Sequence, residues 1–256
     1  MIRKLYEYRE LLKSNIKKEI RGKYKGSFLG VLWSFVNPLL SALVYAIVFP
    51  YVLKTGQDNY VVFIVLGIIP WNFFITTIAQ GTTTILQNAG IIKKVYFPRE
   101  ILPISVATSA LVNFLISCII MFLFVIFGGI GLSPYILLLP LVILTQYVFS
   151  LGLIFITSAI NVYIRDAEYI ITFLLNMLFY ATPILYPSTL FEGSPIEGLI
   201  NLNPMNHIIT CYRDILFYKS PPHFKRLLAV FLVSLVLLGL GIKIFKKLEK
   251  GFAEEL

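Results

Sequence analysis

The sequence predicts an all-α integral membrane protein: six transmembrane helices, an N-terminal amphipathic interface helix, and short outer re-entrant or gate helices before the last span. Three observations predict it. The chain is 58% hydrophobic and only 14% charged over 256 residues, whereas soluble domains carry about 25% charged residues. Its charges sit in short blocks between long uncharged runs. Lys and Arg fall mostly on one side of the topology those runs define.

Residues 1–27 read as a cytoplasmic interface helix, and 28–256 as a six-span membrane domain. At about 100° per residue, Ile2, Leu5, Leu12, Ile16 and Ile20 share one face. A basic helix with one apolar stripe lies in the membrane interface; a disordered basic tail is the other reading. Gly22, Gly26 and Gly30 follow at four-residue spacing, as a hinge or as a small-residue packing face. The charged first 25 residues hold no apolar core of a cleavable signal.

A bilayer core of about 30 Å needs roughly 20 apolar residues as a helix. No Asp, Glu, Lys or Arg occurs from Gly26 through Leu53, which gives a first span at 28–53. The uncharged run 59–92 is too long for one span, and its polar tail places the second at 60–84. The run 101–164 is split by GGIGLSP into spans at 101–127 and 134–162, with Ser133 as N-cap and Pro134 in the first turn. Spans at 168–186 and 227–245 complete the six. The inner segments hold seventeen Lys and Arg and the outer ones five, which places both termini in the cytoplasm.

Segment 85–100 reads as an amphipathic cytoplasmic helix able to dock on a soluble partner, or as a surface loop with positive-inside lysines. Arg165 and Asp166 are helix caps or a second partner contact. The outer region 188–223 contains an Asn203-Pro204 cap followed by a helix too short and too charged to cross. It fits the outer interface or a re-entrant element.

The net charge of +9 is distributed as expected of cytoplasmic loops, so nucleic acid is not the partner. Cys118 and Cys211 make no disulfide framework. No phosphate-cradling G-x-x-x-x-G-K-[ST] motif, metal-ligand cluster or nucleophile–base pair is present, so catalytic and metal residues are expected to be absent. No charge lies deep within the expected spans, which removes the carboxylate an ion-coupled transporter needs. Energy for transport would come from a partner.

Two spans carry polar-aromatic stripes at helical spacing: Ser34, Asn37, Ser41 and Tyr45 with adjacent Phe49, and Tyr169, Phe173, Asn176 and Tyr180 with Pro183. Amides and hydroxyls hydrogen-bond sugars, and rings stack on them. Helix–helix packing explains the same pattern equally well.

The order of RGKYKGSFLGVLWSFVNPLL, KKVYFPREILP, YIRDAEYI, PILYP and LNPMNHIITCYRDIL resembles the membrane subunits of type 2 ABC exporters for polysaccharides, over essentially the whole chain. The resemblance implies an inner-membrane homodimer with two separate ATPase subunits that hold ATP and Mg, this chain carrying no cofactor. It implies a channel at the dimer axis lined by the two stripes, carrying a polyprenyl-pyrophosphate-linked glycan among membrane lipids. Arg21, Lys23 and Lys25 would meet the pyrophosphate. Lys93, Lys94, Tyr96, Phe97, Arg99, Arg165 and Asp166 would face the ATPase. Pro204, His207, Tyr212, Arg213 and Asp214 would belong to the outer gate. A type 2 exporter of teichoic acid, a small lipid or a drug is the rival reading; an enzyme or assembly factor acting on lipid-linked sugars is another.

Overall fold

A computed structural model describes residues 2–24, 26, 30–33, 36, 39–41, 43–45, 47–48, 59–191 and 193–256. Among these residues the fold is all-helical, with no strand. We number the helices α1 (Ile2–Glu7), α2 (Arg9–Tyr24), α3 (Tyr60–Gln87), α4 (Ala89–Ile92), α5 (Ile101–Phe127), α6 (Leu139–Tyr163), α7 (Ala167–Ala181), α8 (Glu197–Leu202), α9 (Pro204–Leu216), α10 (Phe224–Leu248) and α11 (Phe252–Glu255). Among the described residues, four helical stretches are long and apolar enough to cross a membrane: Tyr60–Gln87, Ile101–Phe127, Pro134–Tyr163 and Phe224–Glu255. Half of the expected first span lies outside the described residues.

The central helix is α3, packed against α5, α6, α7 and α9. Pro70 lies inside it and removes one N–H from its ladder. Gln146 on α6 reaches across and donates through Nε2 to the Pro70 carbonyl at 2.7 Å. The most extensive helix pair is α6 with α10. It closes on glycine: a Cβ on Gly152 would lie 2.8 Å from the Leu238 nitrogen, and one on Gly241 would lie 2.5 Å from the Gly152 oxygen. Lipid supplies no hydrophobic drive for helices to associate, so backbone proximity of this kind carries the packing.

The break after α5 falls at the glycines. Gly129 and Gly131 adopt φ of 74° and 76°, values a side chain disfavours. Pro134 then opens a 3-10 turn, Pro134–Leu138, before α6. Ser133 stands at the expected position but makes no side-chain cap bond. Its hydroxyl donates to the Ile215 carbonyl at 3.2 Å, serving the free C-terminal end of α9.

The N-terminal arm is helical, and α2 packs on α5. Lys18 also donates to Asn88 Oδ1 at 2.9 Å, pinning α2 to the end of α3. Segment 85–100 holds only the single turn α4 beyond the end of α3. Residues ahead of a proline disfavour helix, and 95–98 run to Pro98 without helical structure. The apolar run at 168–186 is helical only through Ala181. Thr182 precedes Pro183 and is extended, with ψ of 134°. Fifteen residues give a helix of about 22 Å, short of the hydrocarbon thickness.

Candidate substrate path and coupling surface

Helix α7 shows an open polar-aromatic face. Tyr169 is 77% exposed, Phe173 60% and Tyr180 67%, with Asn176 exposed beside them. Leu175, on the other side, is buried. Phe179 roots the helix: its ring lies 5.9 Å from Trp71, 5.2 Å from Tyr180 and 6.2 Å from Tyr45. The structure thus brings Tyr45, from the first expected stripe, next to the second through a ring that sequence spacing did not select. Ser41 is half-buried. Ser34, Asn37 and Phe49 lie outside the described residues.

The chain after α7 is buried and non-helical, with Ile184 and Leu185 inside the bundle. A low-dielectric interior requires its carbonyls to find donors. Thr182 Oγ1 donates to Leu178 O at 2.6 Å, the Thr182 N–H to Phe179 O at 3.4 Å, and the Tyr186 hydroxyl to Tyr180 O. Ile184 N–H donates to Thr182 O at 2.6 Å, and Tyr60 to Leu185 O at 2.5 Å. Arg213 supplies the remaining pair, Pro183 O and Ile184 O, each at 2.5 Å.

Helix α9 begins where its sequence directs. Asn203 accepts from the Met205 N–H at 3.0 Å and Pro204 occupies the first turn. Asn203 also donates to Thr182 Oγ1 at 2.8 Å. The helix lies against α3, α6 and α10. Tyr212, Arg213 and Asp214 are buried, and Asp214 Oδ2 lacks a partner among the described residues. His207 is half-buried and bonded to the Asn201 carbonyl at 2.7 Å. Burial lowers its pKa; the Asn201 bond acts the other way, and Arg226 lowers it again.

At the opposite end, Lys93, Lys94 and Tyr96 are exposed while Phe97 is buried. Arg99 is used within the chain: it donates to the Glu249 carbonyl and sits over the Phe252 ring at 5.8 Å. A cavity of about 620 Å³ opens here, lined by Tyr8, Tyr96, Arg99, Lys246 and Lys250 among others. Arg165 and Asp166 are exposed, and Asp166 makes no cap bond. Asn161 takes that place, accepting from the Glu168 N–H at 3.1 Å and donating to Thr82 O at 3.2 Å. Arg21 is exposed on α2; the side chain of Lys23 and all of Lys25 lie outside the described residues. No group of His, Cys, Asp and Glu able to hold a metal occurs among the described residues.

Sequence reasoning missed Phe179, Gln146, Tyr60, Asn161 and Thr182. One signal was available for two of them: amides at 146 and 161, isolated inside an uncharged run, need partners in an apolar interior.

Long apolar helices, close glycine packing and a short helix buried among them define a polytopic helical membrane protein. Residues 10–217 match the family described as ABC-2 type transporter, and the chain belongs to that family. It is 38% identical over 257 residues to the O-antigen export system permease protein RfbA of Myxococcus xanthus, covering 100% of this chain and 99% of that protein. It is 34% identical over 250 residues to a Klebsiella pneumoniae protein of the same name, covering 96% and 94%. A capsule polysaccharide export inner-membrane protein, CtrC of Neisseria meningitidis, is 25% identical over 247 residues, covering 92% and 90%.

Proposed function

We propose that this chain is the membrane-spanning subunit of an ATP-driven polysaccharide exporter in the cytoplasmic membrane. The observation that carries the reading is end-to-end similarity to O-antigen export permeases. The open face of α7 supports it physically. Tyr169, Phe173 and Tyr180 offer rings for pyranose stacking, and Asn176 offers an amide for hydroxyls.

In this reading there are six crossings, the fifth made by α7 together with the non-helical chain after it, both termini are cytoplasmic, and two copies face each other across an axial path. Tyr45 and α7 contribute one wall of it. The cargo is a polyprenyl-pyrophosphate-linked glycan, whose pyrophosphate meets Arg21, Lys23 and Lys25. Two separate ATPase subunits bind ATP and Mg. They dock where Lys93, Lys94 and Tyr96 are exposed and where the cavity beside Arg99 opens; Arg165 and Asp166 flank that surface. Helix α9, with Pro204, His207, Tyr212, Arg213 and Asp214, forms the outer gate region.

The test is the double variant Tyr45→Ala with Tyr180→Ala, expressed with its ATPase in cells lacking their own permease. Surface glycan is expected to fall while the amount of membrane-inserted protein stays constant. Normal export by the double variant would contradict the path.

A further inference from the structure

The Arg213 guanidinium, placed above in the outer gate region, is a buried charge. It is 4% exposed. Removing a guanidinium from water costs several kcal/mol unless its donors are satisfied. Four of its five N–H donors have acceptors. Nε and Nη2 donate to Phe63 O at 3.3 Å and 3.2 Å, Nη1 to Pro183 O, and Nη2 also to Ile184 O. The charge also lies 3.5 Å from the centre of the Phe63 ring, a favourable cation–π distance.

Space for this arrangement is provided by glycine. A Cβ on Gly67 would lie 2.7 Å from Arg213 Nη2 and 3.0 Å from Ile184 O. The acceptors belong to α3 and to the bend that ends α7, while the donor belongs to α9. The charge also stands near the C-terminal end of α7, where a cation complements the helix dipole.

We propose that Arg213 is a positioning residue: it fastens the bend that ends α7, and with it the exposed face of α7, to both α9 and α3, so that α7 does not move independently of either. The inference rests on the export reading for its functional consequence, not for its geometry. A lysine cannot replace it. Its ammonium is a point charge, whereas the planar fork reaches Phe63 on one side and Pro183 and Ile184 on the other.

The test uses the assembled transporter in membranes, with Arg213→Lys and Gly67→Ala as independent disruptions of one contact. Export and ATP hydrolysis are both scored per assembled complex. Export per complex is expected to fall about tenfold, the scale of losing one hydrogen bond to a charged donor, while ATP hydrolysis per complex persists. Unchanged export per complex in both variants overturns the proposal, as does loss of assembled protein with normal activity in what remains.

A second readout does not depend on export. Cys118 and Cys211 are buried, and Leu175 is buried on the packed side of α7. Labelling of Leu175→Cys by a maleimide is expected to rise several-fold in the Arg213→Lys background, while a control thiol, Leu228→Cys on the exposed face of α10, labels at the same rate in both. Equal rates at Leu175→Cys, or parallel changes at both positions, overturn it. If the unaltered chain restores no surface glycan, the export reading fails, and the labelling result alone decides the role of Arg213.

Discussion

Tyr212 donates its hydroxyl hydrogen to Gln146 Oε1 at 3.0 Å, and the same amide donates to Pro70 O. One side chain thereby links α9, α6 and the proline-interrupted turn of α3. Gln146→Leu leaves the Tyr212 hydroxyl without its acceptor and the Pro70 carbonyl without its donor. A cost of about 1–3 kcal/mol is expected. Tyr212→Phe in the same background should add almost nothing, because the bond that Tyr212 makes is already gone. Denaturant unfolding in detergent across the four-member cycle checks this; additive losses would refute the shared bond.

The α6–α10 contact makes a positional prediction. Gly241→Ala puts a methyl 2.5 Å from the Gly152 oxygen, a backbone atom that cannot swing aside. Overpacking of this sort costs about 1–3 kcal/mol. Gly239→Ala meets nothing within 4 Å and gains helix propensity of up to about 1 kcal/mol. Apparent Tm values should therefore move in opposite directions for two substitutions separated by one residue.

The N-terminus of α7 distinguishes two neighbouring polar residues. Asn161 bonds both the Glu168 N–H and Thr82 O, while Asp166 at the cap position bonds neither its own helix nor α6 through its side chain. Asn161→Ala should cost about 1 kcal/mol or more. Asp166→Ala should stay within about 0.5 kcal/mol, the usual range for surface substitutions. Thermal unfolding of the purified variants separates them.

His207 gives a pH prediction. Its folded-state pKa is lowered, chiefly by burial, so the unfolded chain binds the proton more readily. Stability is then full above the unfolded value of about 6.5 and is lost as pH falls through the lowered folded value. The wild-type apparent Tm should drop as pH falls below about 6.5. His207→Gln, which keeps a donor for the Asn201 carbonyl, should flatten that dependence. An identical pH profile in the variant would show that the proton binds elsewhere.

The long spans were legible because hydrophobic length is a one-dimensional property. The runs beginning near Tyr60, Ile101 and Pro134 mark helices directly, and the Asn203-Pro204 pair carries its own start signal. The end of α7 was not legible as a break, because PILYP is as apolar as the helix before it. Its conformation depends on Thr182, Tyr60 and Arg213, the last two distant in sequence. The burial of Arg213 was not legible for the same reason: composition prices an arginine by itself, whereas its burial depends on carbonyls at Phe63, Pro183 and Ile184. The aromatic faces stood out by spacing, but Phe179, which joins them, sits off both stripes.

The central claim is that this chain moves a glycan across a membrane at the expense of ATP. It is tested most directly by reconstituting the chain with its ATPase in vesicles loaded with a lipid-linked glycan. The measured quantity is the glycan that becomes accessible on the opposite face after ATP is added. The account predicts ATP-dependent appearance of glycan, reduced by Tyr45→Ala with Tyr180→Ala. ATP hydrolysis without any movement of glycan, or movement equally fast without ATP, would contradict it.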